Sequence, residues 1–159
     1  MSRDRAPYRF LLPVDCSTST SEPLDAATRL ARGVNGSVTL LAVVPLAPPP
    51  SDLNDLARGT GVGADPEEQE VLDRLARERL DEVVAGIEDG LDVSTEVSWG
   101  PVGPAIVDEV QQGAHDLVVI SIRQEGELGH LVHDHTLRHV LHHSPVPVLV
   151  VPTTRNPNQ

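Results

Sequence analysis

The stretch from Asp116 to Pro152, DLVVISIRQEGELGHLVHDHTLRHVLHHSPVPVLVVP, reads as strand, loop, helix, strand. An apolar, β-branched run opens it, and the spacing predicts a strand over Asp116 to Ile120. Polar residues and glycines follow, and a helix is expected to start near Asp134 and bury Leu137, Val140 and Leu141. A last strand is expected over Val146 to Val151, bracketed by prolines. A helix entered from such a loop points free N–H groups at whatever lies before it, which makes a ready anion site. Phosphate-binding versions of this layout place glycines in the loop so that the backbone can approach the ligand.

Working outward, the rest of the chain repeats the pattern. Apolar runs alternate with helical patterns, which argues for an α/β fold with a mostly parallel sheet. The first strand is expected from Tyr8 to Val14, ending at Asp15 and the polar turn CSTSTSE. The first helix begins near Ser21, with Pro23 tolerated in its first turn. Its predicted buried stripe is Leu24, Ala27, Leu30, Ala31 and Val34, and Asn35-Gly36 stops it. The second strand is Ser37 to Val44. A long Pro- and Gly-rich segment, residues 45–64, is expected to be a flexible loop, either a flap over a pocket or a mobile insertion. The second helix starts with a cap at Asp65, Pro66 in the first helical position and Glu68 closing a capping box. Leu72, Leu75, Ala76, Val83, Val84 and Ile87 mark its core side, and Asp73, Arg74, Arg77, Glu78, Asp81 and Glu82 its solvated side. The third strand, Leu91 to Trp99, alternates as an edge or near-edge strand does. The third helix follows Gly100 and Pro101 and buries Val102, Ala105, Ile106 and Val110. One domain spans residues 1–159, with a core at about 8–152 and a frayed tail from Thr153 to Gln159.

Composition narrows the function. The 159 residues are enough for one domain with its own core. No apolar run approaches the ~18 residues a membrane span needs, and MSRDRAPYRF lacks the apolar core of a signal peptide. One cysteine, Cys16, cannot form an internal disulfide, so a cytoplasmic protein is expected, with no membrane partner. A net charge of −12 repels nucleic-acid phosphates, so no nucleic-acid partner is expected. Tyr8, Phe10 and Trp99 are the whole aromatic set, too few for a base-stacking platform. All twelve basic residues are Arg, and none is Lys. A GC-rich genome and a halophile's salt-rich cytoplasm both fit that bias.

The order of these pieces resembles the universal stress protein (UspA-like) family over about residues 8–152. Four segments carry the resemblance: Leu11 to Asp15, LLPVD; Leu40 to Val44, LLAVV; Gly100 followed by PAIVDEV at Pro104 to Val110; and HDLVVIS at His115 to Ser121, followed by RHVLHHSPVPVLVVP at Arg138 to Pro152. It implies a doubly wound five-stranded parallel sheet with four helices, Rossmann-like and similar to the adenine nucleotide alpha hydrolases. A ligand would sit at the carboxyl ends of strands one and four, the topological switch point. ATP-binding members carry Gly-x2-Gly-x9-Gly-Ser/Thr after strand four. Ser121, Gln124, Asp134 and His135 occupy those positions here, so every glycine and the hydroxyl are replaced. A Gly-x2-Gly at Gly126 and Gly129 lacks the Gly-Ser partner, and His139 stands ten residues on. Asp134 would put a carboxylate where phosphate charge goes, and as an N-cap it could satisfy the helix N–H groups itself. Glu125 and Glu127 add repulsion, with Arg123 and the histidines as counterweights. The resemblance also matches Asp15 to the carboxylate on the adenine side and Val43 to the backbone contact beside it. Asp15 reads equally as a turn former at a strand end.

Six of the seven histidines fall between His130 and His143. His135, His139 and His143 are four apart and share one helix face, a pattern that can hold zinc or nickel and equally a solvated face. Histidines beside an acidic loop, His130, His133 and His135, could also titrate and tune the pocket. No Gly-x-Ser-x-Gly elbow, Walker loop or His-Glu-x2-His occurs. Cys16 beside Asp15 reads as a small turn residue, since a carboxylate neighbour discourages the thiolate. Val146, Val148, Leu149, Val150 and Val151 make the last strand apolar on both faces, and the resemblance implies a homodimer through it. The expectation is a dimeric regulator or protein-interaction module of the stress response, not an enzyme, with no cofactor and a protein partner the sequence does not name. The alternative is an ATP- or AMP-binding sensor using Asp15, Val43 and a rearranged loop.

Overall fold

Along a strand, successive side chains point to opposite faces, and in this chain both sets are apolar. The computed structural model describes residues 7–14, 21–44, 66–124 and 135–154. In β1 (Arg9–Val14), Phe10, Leu12 and Val14 enter one core cluster and Leu11 enters the other. β2 (Ser37–Val44) divides likewise, with Val38, Leu40, Ala42 and Val44 on the first side and Leu41 on the second. β3 (Asp92–Trp99), β4 (Leu117–Gln124) and β5 (Val148–Thr154) complete a five-stranded sheet in the order β3-β2-β1-β4-β5. All four pairings are parallel. Strand order reverses between β1 and β4, which is the switch point of a doubly wound fold.

Helices cover both faces. α1 (Ser21–Gly33) and α2 (Pro66–Ala85) supply Ala27, Ala31, Ala76, Leu80 and Val83 to one cluster. α3 (Val102–Gln112) and α4 (His135–His143) supply Ile106, Val107, Val110, Leu137 and Val140 to the other. Leu11, Leu12, Leu40 and Leu41 are fully buried, each worth about 1.5–3 kcal/mol of transfer free energy. Asn35, at φ 53°, is the left-handed residue ending α1, and the Gly36 amide donates to the Ala31 carbonyl across it at 2.8 Å. Arg32 then ties α1 to the turn after α2, donating to the Glu88 carbonyl at 2.7 Å and the Asp89 carbonyl at 3.3 Å.

The expected helix faces need correction at their margins. Leu30 is 42% exposed, Val34 52%, Leu75 51% and Leu141 55%. Beside Leu30, Val34 and Leu75 the buried positions are small, Ala27, Ala31 and Ala76, whereas Leu141 lies next to the buried Leu137 and Val140. Small residues let a helix axis approach the sheet closely, which narrows the contact stripe and leaves its flanks in water. Leu80, absent from the expected stripe of α2, is among the most deeply buried side chains. β3 is an edge strand, as its alternation implied, with Asp92, Ser94, Thr95 and Glu96 exposed. β5 forms the opposite edge.

The largest correction lies in the deciding stretch. β4 does not stop at Ile120 but runs to Gln124. β5 spans Val148–Thr154 rather than ending at Val151, so Pro152 lies inside it and Thr153 and Thr154 do not fray. The two strands stay in register throughout, Ser121 opposite Val151 and Gln124 opposite Thr154. The expected loop at residues 45–64, the cap at Asp65, Cys16, and the loop residues Glu125, Gly126, Glu127, Gly129, His130 and His133 lie outside the described residues.

Candidate functional site

The carboxyl ends of the strands define the crevice where a ligand of this fold sits. Val14, Val44, Gly100 and the end of β4 border it. Val43, one residue from the end of β2, is half-buried and packs on the α3–α4 side of the sheet. Beside it the Gly100 amide donates to the Val44 carbonyl at 3.0 Å. Gly100 has φ +123°, and a Cβ built there would meet no heavy atom within 4 Å. Glycine is needed here for its backbone conformation, because space is open around it. α3 starts immediately after, with Pro101 in the N-cap position and no side-chain cap bond.

Of the residues the sequence assigned to a phosphate loop, two lie on a strand. Ser121 is half-buried within β4, and Gln124 is its last residue. The Thr153 hydroxyl donates to the Ile122 carbonyl at 3.2 Å, adding a side-chain link to the ladder between them. His135 is exposed at the start of α4. Asp15 and Asp134 lie outside the described residues. The described part of the set is thus spread along a strand and onto a helix start. The cause is pairing: the apolar and β-branched residues of β5 continue past Pro152 as Thr153-Thr154 and keep β4 extended.

The histidines separate as well. Among the described residues, no three His, Cys, Asp or Glu side chains are placed to hold one metal ion. His135 does not join His139 and His143, whose rings stack at 4.2 Å with 18° between planes. His115 belongs to the core instead, buried beneath Gly113, with Nε2 3.3 Å from Glu109 Oε1 and, among the described residues, no hydrogen-bond partner for Nδ1. The sequence reading did not single it out; Gly113-Ala114 before it, a turn of small residues, is the available signal. Arg77, held above its ordinary pKa chiefly by its hydrogen bond to Asp73 at 2.7 Å, lies on the outer side of α2, away from the crevice.

A doubly wound parallel sheet with a crevice at the β1–β4 reversal places the chain among the Rossmann-like α/β folds. The family model for the universal stress protein family matches residues 8–152, and the chain belongs to that family. Similar solved structures include the universal stress protein UspA from Lactobacillus plantarum, 25% identical with a TM-score of 0.62, covering 92% of this chain and 99% of that one. A universal stress protein in complex with cAMP is 16% identical, TM-score 0.58, over 92% of this chain and 98% of that one. The universal stress protein from Archaeoglobus fulgidus in complex with dAMP is 15% identical, TM-score 0.53, over 90% and 96%. No curated protein matches the chain in sequence. No helix among the described residues is long and apolar enough to cross a membrane.

Proposed function

We propose that this universal stress protein works in the cytoplasm as a non-catalytic regulator through protein contacts, with a crevice that does not hold a triphosphate. The observation that carries the reading is the continuous β4–β5 ladder through Ser121 and Gln124. A phosphate loop needs backbone that leaves the sheet and turns its N–H groups toward the ligand. Backbone committed to a strand ladder has its N–H groups in the plane of the sheet. Ser121 carries a side chain where the resemblance puts a glycine, which further limits approach. Asp134 and His135 replace the remaining glycine and the hydroxyl, so the chemistry of the sequence and the path of the backbone agree.

An adenosine- or AMP-like ligand is the second reading. Val43 and Gly100 border the carboxyl end of β2, where the purine lies in this reading, and the resemblance matches Asp15 to the carboxylate on the adenine side. Some solved family structures carry cAMP or dAMP, ligands with one phosphate group.

The apolar β5 edge, Val148, Leu149, Val150 and Val151, together with Val146 just before it, is the proposed homodimer contact. Each is only half-buried within the single chain, which supports the assignment.

Calorimetric titration in high potassium chloride tests the main reading. Mg-ATP should give no binding, and micromolar Mg-ATP binding would overturn it. AMP binding without ATP binding would select the second reading. A chain carrying Ser121→Gly, Gln124→Gly, Asp134→Gly and His135→Ser should gain ATP affinity if these four positions are what blocks the phosphates.

A further inference from the structure

The C-terminal half of α4 carries a feature that the crevice does not use. We infer that His139 and His143 form a surface chelate for one late transition-metal dication of the zinc, nickel or copper type. Four residues apart on a helix, the two side chains stand one above the other on the same face. Their rings are already in contact, with centroids 4.2 Å apart. His143 Nδ1 lies 2.9 Å from the His139 carbonyl oxygen. A carbonyl can only accept, so Nδ1 carries the hydrogen and the lone pair of the neutral ring lies on Nε2. Metal-binding imidazoles are oriented in just this way, one nitrogen donating to backbone and the other free for the ion.

His139 is held from the other side. A Cβ at Gly103 of α3 would stand only 2.9 Å from His139 Cβ and 3.0 Å from its ring carbons, so the ring lies against bare helix backbone. It is half-buried, while His143 is exposed. The rings are nearly parallel, at 18°, so closing on an ion requires the His143 ring to splay toward it. The pair also sits in the last turns of α4, at the negative end of the helix dipole, on a chain of net charge −12. α4 carries no carboxylate, and among the described residues no third His, Cys, Asp or Glu is grouped with the pair, so the protein donors are two nitrogens, which suit zinc, nickel or copper and not magnesium or calcium. His135 cannot complete the same site, because eight residues of helix separate it from His143 by about 12 Å. Water fills the other positions on the ion.

Zinc or nickel ions titrated into the tag-free protein in a non-chelating buffer test this. Expected are one ion per chain, a rise in the thermal midpoint with ion concentration, and no response to magnesium. His143→Gln should weaken binding roughly a hundredfold, because the second imidazole of a chelate acts at high effective concentration. His143 is exposed, so folding is not at stake, and His135→Gln should leave binding unchanged. Undiminished affinity in His143→Gln, or equal losses in the two variants, would overturn the assignment.

Discussion

Ala114 offers a substitution whose sign runs against intuition. It follows α3 at φ 50°, in the left-handed region, with the His115 amide donating across it to the Val110 carbonyl at 3.1 Å. That is the position where helices ordinarily place glycine. A Cβ in this conformation costs roughly 1–2 kcal/mol. Glycine removes that cost but gains freedom in the unfolded chain, which returns about 0.4–1 kcal/mol. The difference of those ranges runs from about 0 to about 1.6 kcal/mol, so Ala114→Gly should stabilise the protein by about 0.8 kcal/mol at their midpoints. For a chain of this size that is a rise of about 1–4 °C in Tm. Ala26→Gly, inside α1, is the matched control and should destabilise by about 1 kcal/mol or more. Urea unfolding of the three proteins at one fixed protein concentration reads both effects, since self-association would otherwise shift the midpoints. If Ala114→Gly lowers stability as Ala26→Gly does, the left-handed turn after α3 is not formed in solution.

Gly103→Ala should cost about 1–2 kcal/mol, because the new methyl meets His139 Cβ at 2.9 Å and α3 and α4 must part to admit it. Pairing it with His139→Ala, which removes the two ring contacts, should give a non-additivity of at least about 0.5 kcal/mol in the same urea assay. Val148→Lys or Val150→Lys should convert the proposed dimer to monomer by light scattering, and a mass that stays dimeric would move the interface elsewhere.

The sheet was legible because its code is simple. Val38, Leu40, Ala42 and Val44 alternate with Thr39, Leu41 and Val43, and the structure sends the two sets to opposite faces. Asn35-Gly36 reads as a helix stop and is one, since few residues other than Asn and Gly accept a left-handed turn. The helix margins were harder. Periodicity identifies a face but not its width, so Leu30 and Leu75 counted as core although Ala27, Ala31 and Ala76 make the close contacts, and Leu141 counted with Leu137 and Val140, which alone are buried on α4. The end of β4 was hidden for another reason. Ser121, Arg123 and Gln124 read as loop because local polarity ends a strand in isolation. Their pairing with Val151, Thr153 and Thr154 is non-local, and no window of sequence contains both partners. The histidine face was visible, but which two rings meet depended on Gly103, thirty-six residues away from His139 in the chain.

The two borders of the sheet differ in chemistry, and that difference sets a limit on growth. Along β3 the outward residues include Asp92 and Glu96, so two such borders brought together would set carboxylates against carboxylates. β5 presents valines and a leucine. In the dimer proposed through β5, one copy is added, and both ends of the ten-stranded ribbon are then β3 borders that carry Asp92 and Glu96. Stopping at two requires no cap and no partner; a fibre would need β3 to lose its charge.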